Sequence, residues 1–243
     1  MRIDILTLFT GMCDSVLGES IIGRARAAGK VQINTRDIRD YTADKHRRVD
    51  DKPYGGGMGM VMQAQPIYDC YNALCDEIGT KPHLIYMTPQ GKTLTQERVK
   101  ELAELDNIAI LCGHYEGIDE RVIEELQPEE ISIGDYVLTG GELPALILAD
   151  SISRMLPGVL SDDACFEEES HYNSLLEYPQ YTHPAEWNGK AVPEVLLSGH
   201  HANVEKWRRE QSLLRTRERR PDLLEKADLT KNDKSFLSLN EEK

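Results

Sequence analysis

The sequence predicts an α/β fold built on a mostly parallel sheet, followed by a small all-helical carboxy-terminal domain. Three observations carry this. Short apolar β-prone runs alternate with helical stretches over the first 130 residues, the signature of strands joined by crossovers. Residues 160–193 turn acidic and rich in Tyr, Pro and Asn, with little periodicity, as a linker and an ordered loop would. Beyond them Val204, Trp207 and Leu214 recur at helical spacing in a basic stretch. The expected division is 1–160, a linker over 161–175, and 176–243.

Taken in order, Arg2–Leu8 reads as the first strand, and Cys13–Ala28 as a helix stopped by Gly29. Ile67–Ile78 is a second helix, stopped by Gly79; His83–Thr88 is a strand and Leu94–Leu105 a helix. Ile108–Cys112 and Ile131–Leu138 read as strands on either side of a helix over Ile118–Leu126. Residues 144–156 make the clearest helix. Pro144 suits a first helical position, Ala145, Leu148, Ile152, Met155 and Leu156 share one face, and Pro157-Gly158 ends it. Pro221 opens a short helix, and the tail from Lys231 is polar.

With 243 residues, 40% apolar and 29% charged, the chain can fill a core and keep a solvated surface. Five scattered cysteines, Cys13, Cys70, Cys75, Cys112 and Cys165, contain no C-x-x-C pair. That spacing argues against a disulfide framework and for a reducing, cytoplasmic setting. His171, His183, His200 and His201 lack metal-ligand spacing, so no metal site is expected. The amino terminus is too weakly apolar for a signal segment and no run approaches a membrane span, so no membrane partner is expected.

The net charge of -14 disfavours nonspecific polyphosphate binding, but it is unevenly spread. Residues 21–52 hold nine Lys/Arg against five Asp/Glu, and residues 206–220 hold seven against two. Each island is either a solvated helix face or a phosphate-binding surface.

Two nucleotide motifs are absent. Tyr86 stands where a P-loop ending in Gly91-Lys92-Thr93 needs glycine, and Met60 breaks a G-x-G-x-x-G starting at Gly55. Two other loops follow predicted strands: Cys112-Gly113-His114-Tyr115-Glu116-Gly117, and Ser132 to Gly141 with glycines at 134, 140 and 141. Lying together at the carboxyl ends of a parallel sheet, they would offer bare main chain to a flat ligand. Arg154 follows Asp150 by four residues, which suits an intrahelical ion pair as well as a ligand contact. Glu167-Glu168-Glu169 fits a solvated acidic loop or a proton acceptor.

Five segments together resemble one family: YGGGMGM (54–60), LCGHYEGIDERV (111–122), SIGDYVLTGGELPALILADSISRMLPGVL (132–160), LLEYPQYTHP (175–184) and VPEVLLSGHH (192–201). These are similar to the bacterial tRNA (guanine-N1)-methyltransferases of the SPOUT superfamily, and the resemblance runs nearly end to end. It implies a deep trefoil knot in the amino-terminal sheet and a homodimer with its site at the subunit interface. It also implies methylation of guanosine at tRNA position 37 with S-adenosylmethionine, and an optional magnesium ion whose ligands the sequence does not place.

Carried over by the same resemblance, the cofactor pocket comprises Tyr86, Pro89, Gly113, Tyr115 and Glu116, then Ile133, Gly134, Asp135, Tyr136, Val137, Leu138, Gly140 and Gly141. On the RNA side, Asp50, Gly59 and Ser170 would contact the anticodon stem-loop, with Asp50 reading the base before the target and the basic islands meeting phosphates. Arg154 would stabilise charge on guanine O6, and the family's base, an aspartate, falls on Glu169 here, with His171 where an aromatic residue is usual. Asp163 and Glu168 are alternative bases. A noncatalytic RNA-binding protein that keeps the fold is the competing reading.

Overall fold

The computed structural model of the chain describes residues 1–160, 166 and 169–240. Contacts divide it into two units, Met1–Asp163 and Ala164–Lys243. The first holds a five-stranded parallel sheet in the order β2-β1-β6-β5-β7, made of β1 (Arg2–Thr7), β2 (Gln32–Asp37), β5 (His83–Thr93), β6 (Asn107–Cys112) and β7 (Glu129–Ser132). A two-residue ribbon pairs β3 (Asp50–Asp51) with β4 (Val61–Met62).

Both sheet faces are covered, which is why the central strands read as near-continuous apolar runs. Side chains alternate along β5: Ile85 and Met87 join one core, Leu84 and Tyr86 the other. Helices α1 (Thr10–Leu17), α2 (Ser20–Ala27), α4 (Gln96–Ala103) and α6 (Glu142–Ser153) fill the first through Cys13, Leu17, Ala25, Leu102 and Leu148. On the other face, α3 (Ala64–Ile78), α5 (Glu120–Leu126) and a 3-10 turn over Ile38–Tyr41 supply Ile67, Leu74, Val122 and Ile38. Thr95 and Asp119 cap α4 and α5 by accepting from Arg98 and Arg121 main-chain N–H groups, and Gly79 ends α3 in the left-handed conformation.

Several sequence expectations are corrected. The single helix over Cys13–Ala28 is two, because the chain turns at Gly18 with Ser20 at φ 54°, and a Cβ on Gly23 would lie 2.3 Å from the Gly18 carbonyl oxygen. The strand over Ile131–Leu138 ends at Ser132, and 133–141 is loop. Pro144 is the third residue of α6. Strand β2 has no apolar run to announce it, since this edge strand carries exposed Gln32 and half-buried Asn34 and Arg36.

The carboxy-terminal unit is not wholly helical. It adds an antiparallel ribbon, β8 (Glu186–Trp187) with β9 (Lys190–Ala191), turning at Asn188-Gly189 with positive φ at both residues. Four helices follow, α7 (Glu194–Leu197), α8 (His201–Arg219), α9 (Pro221–Leu224) and α10 (Lys231–Leu239). The tail beyond Lys231, expected to be merely polar, forms α10 under a Thr230 capping box. Leu237 of that helix packs with Leu175 and Leu213. The buried seam of α8 is Ser212, Leu213 and Thr216, while Val204, Trp207 and Leu214 are half-buried. Burial opposes ionisation of Asp233, but hydrogen bonds from Arg209 and Thr230 outweigh it and hold its pKa below the usual range. Among the described residues no helix is long and apolar enough to cross a membrane.

One charged group lies inside the sheet layer. Asp4, fully buried, accepts from Arg2 Nε at 2.7 Å, Arg36 Nε at 3.1 Å and Asn34 Nδ2 at 3.2 Å, and Glu77 bridges both guanidinium groups at 2.6 Å. Removing one member of such a network strands the others. Asp4→Ala is expected to cost about 3 kcal/mol, read as a thermal midpoint roughly 10 °C lower.

Candidate functional site

The chain opens a cavity of about 490 Å³ at the carboxyl ends of β5, β6 and β7, where parallel α/β sheets place ligands. Its walls come from three segments. Strand β5 slips register between Met87 and Lys92, both paired with Ile131, and the bulged residues Thr88, Pro89 and Gln90 turn into the cavity beside Tyr86. Gly91 makes this crossing possible, since a Cβ there would lie 2.4 Å from the Glu130 carbonyl carbon. The loop after β6 supplies Gly113 to Ile118, and the loop after β7 supplies Ile133 and Tyr136 to Gly141.

These loops touch through bare backbone. The Gly141 N–H donates to the Gly113 carbonyl at 2.8 Å, and a Cβ on Gly141 would meet Cys112 Cα at 2.7 Å. A Cβ on Gly113 would press at 3.0 Å on the Tyr86 ring. Burial, ahead of the Thr88 hydrogen bond that opposes it, pushes the Tyr86 phenol up. Tyr115, strained at φ 59°, is likewise pushed up by burial and then by the Asp50 carboxylate, with Arg39 opposing. Three carboxylates, Glu116, Glu120 and Glu130, line the cavity, so it suits a ligand with positive charge.

Tyr86, Pro89, Gly113, Tyr115, Glu116, Ile133, Tyr136, Val137, Leu138, Gly140 and Gly141 all line this space. Gly134 and Asp135 do not. Gly134 is spent on its own turn, accepting from the Tyr136 N–H at 2.9 Å and from the Ser132 hydroxyl at 3.0 Å, and Asp135 lies within that turn. Thr88 and Gln90 line the cavity as well, as does His114 of the loop after β6. No local pattern announces the first two, because the bulge exists only through pairing with β7.

The glycine-rich segment is pinned to the cavity rim. The Glu116 N–H donates to the Met60 carbonyl, the Met62 N–H to Gly117 and the Asp119 N–H to Met62, each at 2.9 Å. Gly59, at φ 84°, lies so close to the Glu116 carboxylate that a Cβ would stand 2.4 Å from Oε1. Asp50 starts the same ribbon, paired with Met62. Arg154 closes α6, its N–H donating to the Asp150 carbonyl at 3.0 Å.

Glu169 and Ser170 belong to the second unit. There the Glu169 main chain bonds to Phe166 and Tyr172 at 3.3 Å, and the Ser170 hydroxyl accepts from the Glu177 N–H at 3.0 Å. The Leu176 N–H donates to Thr216 Oγ1 on α8 at 2.8 Å, so this segment is built onto the helix. Asp163, Glu168 and Cys165 lie outside the described residues, as does most of the expected linker up to 168. Among the described residues no cluster of three or more His, Cys, Asp or Glu is arranged to hold a metal ion.

The Gly141 contact predicts a sharp contrast. Gly141→Ala meets the Cys112–Gly113 backbone and should cost about 1–3 kcal/mol. Gly11→Ala, on α1 with nothing within 4 Å of its new methyl, should be neutral or stabilise by up to about 1 kcal/mol. Thermal unfolding of the two variants checks this.

Comparison with known proteins adds to the geometry. The family described as tRNA (Guanine-1)-methyltransferase TrmD matches residues 1–226. A protein of Ruminiclostridium cellulolyticum named tRNA (guanine-N(1)-)-methyltransferase is 62% identical over 226 residues, covering 93% of this chain and 97% of its own. Proteins of the same name from Lachnospira eligens and Desulforamulus reducens are 57% identical over 225 residues and 56% over 238, covering 93% and 98% of this chain and 95% and 94% of their own.

Proposed function

The chain belongs to the tRNA (guanine-1)-methyltransferase family, and on that premise we propose that it methylates N1 of guanosine at position 37 of tRNA, using S-adenosylmethionine. The observation that carries the reading is the cavity walled by close-packed glycine loops, where a Cβ on Gly141 would strike Cys112 backbone and one on Gly113 or Gly140 would press on the Tyr86 ring or on the Glu142 and His114 side chains. A volume of about 490 Å³ falls within the range of small-molecule sites. The lining suits the cofactor: exposed main chain for a base edge, aromatic rings at Tyr86, Tyr115 and Tyr136, and carboxylates toward cationic groups.

S-adenosylmethionine, when bound, supplies an electrophilic methyl group. Guanine N1 carries a proton at neutral pH, so the protein must provide a base, and Glu169 is assigned that role. Arg154 donates to O6, where negative charge develops as the proton leaves. Asp50 reads the preceding base, Gly59 and Ser170 lie against the RNA, and the basic segments 21–52 and 206–220 meet stem phosphates. A target base splayed out of its stack gives these groups access to N1. No step is assigned to magnesium.

The same reading includes a trefoil knot through the sheet and a cytoplasmic homodimer that completes the active site between subunits. Support for the dimer comes from α1 and α6, which pack together and expose Met12, Val16, Leu143 and Ile147. Exposed apolar surface of this kind marks an interface.

Labelled methyl transfer to tRNA with guanosines at positions 36 and 37 tests the function, and an adenosine-36 substrate is expected to lose about tenfold or more. Absence of transfer to either leaves the noncatalytic reading. Glu169→Gln is expected to cut turnover by about a hundredfold or more while cofactor and tRNA still bind. Retained turnover removes Glu169 from the chemistry. Ile147→Asp is expected to give an inactive monomer in sedimentation; a dimer in that variant places the interface elsewhere.

A further inference from the structure

Beneath the cavity loops lies a buried polar group that the chemistry above does not use. Glu142, the first residue of α6, is 3% exposed, and its Oε1 accepts from the Thr7 hydroxyl at 2.7 Å. Its Oε2 would be 2.5 Å from a Cβ on Gly140. On the same point, at 2.7 Å, falls His114 Nδ1, which is buried without a hydrogen-bond partner. The His114 ring is set between Phe9 and Tyr115, with ring centres 4.9 Å away in each case.

We propose that Glu142 and His114 are a positioning pair, closing on each other across the bare Cα of Gly140 to hold the 113–117 and 133–141 loops in the register that binds S-adenosylmethionine. A buried, unpaired ring nitrogen has given up its hydration for nothing in return. A small rotation that lets Nδ1–H donate to Oε2 replaces that cost with a charge-assisted bond. Thr7 holds the other carboxylate oxygen at the end of β1, and its hydroxyl also accepts from the Phe9 N–H at 2.9 Å. The pair thereby links β1, the loop after β6 and the start of α6. The thiols of Cys13 and Cys112, also near Glu142, are pushed up by burial first and by that carboxylate second. They stay neutral, and a thiol is at best a weak donor beside an unpaired ring N–H.

The inference rests on the cavity being the cofactor site, so the test begins with calorimetric binding of S-adenosylmethionine to the full wild-type chain. No binding there overturns the cofactor reading and this inference with it. Given binding, His114→Asn, whose amide N–H stands where Nδ1 was, should stay within about threefold of wild type. His114→Gln, which mimics the other ring nitrogen, should lose about tenfold or more. Glu142→Gln should likewise be mild and Glu142→Ala severe. In His114→Gln and Glu142→Ala, KM for the cofactor should rise while kcat at saturating cofactor holds within about threefold. Equal affinities for His114→Asn and His114→Gln, or wild-type affinity in Glu142→Ala, overturn the pair. Should Glu142→Ala not fold, the two His114 variants decide alone.

Discussion

The close approach of α6 to the end of β6 is the constraint on which the cavity depends. Gly141, having no side chain, lets the helix begin in contact with Cys112 and Gly113 backbone, and the loop before it then has to fold back over the sheet end. That loop supplies Tyr136 to Leu138, and the bulge in β5 supplies the facing wall. Backbone packed on backbone is stiff, because no rotamer change relieves it. The walls are therefore fixed by main-chain geometry, and side chains decide what the space accepts.

The same economy ties the outer loop to the inner one. Three main-chain hydrogen bonds fix residues 60–62 against 116–119, while Tyr54 and Met58 beyond them are almost fully exposed. A loop anchored at one end and glycine-rich at the other can adapt its tip without disturbing the cavity. Asp50 and Gly59 are brought to the rim by this anchoring.

Much of this was legible in the sequence, and the exceptions have physical causes. Strands β1, β5 and β6 are buried on both faces and so appear as apolar runs, whereas β2 sits at an edge with polar residues along it. Helix α6 carries an apolar face that fixes its existence, but its start is set by the Gly141 contact and so precedes Pro144. Asn188-Gly189 is an ordinary hairpin signal that the surrounding acidic text obscured. At the site, the glycine loops were readable because glycine leaves a mark in any sequence. Thr88 and Gln90 were not, since only pairing with a strand some forty residues later turns them inward. Glu142 gave no sign at all: a glutamate in a first helical turn is ordinary, and its burial follows from what packs on it.

Sheet order carries one more implication, for the chain as it leaves the ribosome. Strand β1 is made first but lies between β2 and β6, and β6 is about a hundred residues downstream. At ordinary rates of synthesis the nascent chain holds an apolar strand with an open edge for on the order of ten seconds. The Arg2, Asp4 and Arg36 charges sit on β1 and β2 alone, so they can form as soon as β2 emerges. Charges on a strand disfavour wrong pairing of its open edge, so the same ion pairs that steady the finished sheet also suit the wait.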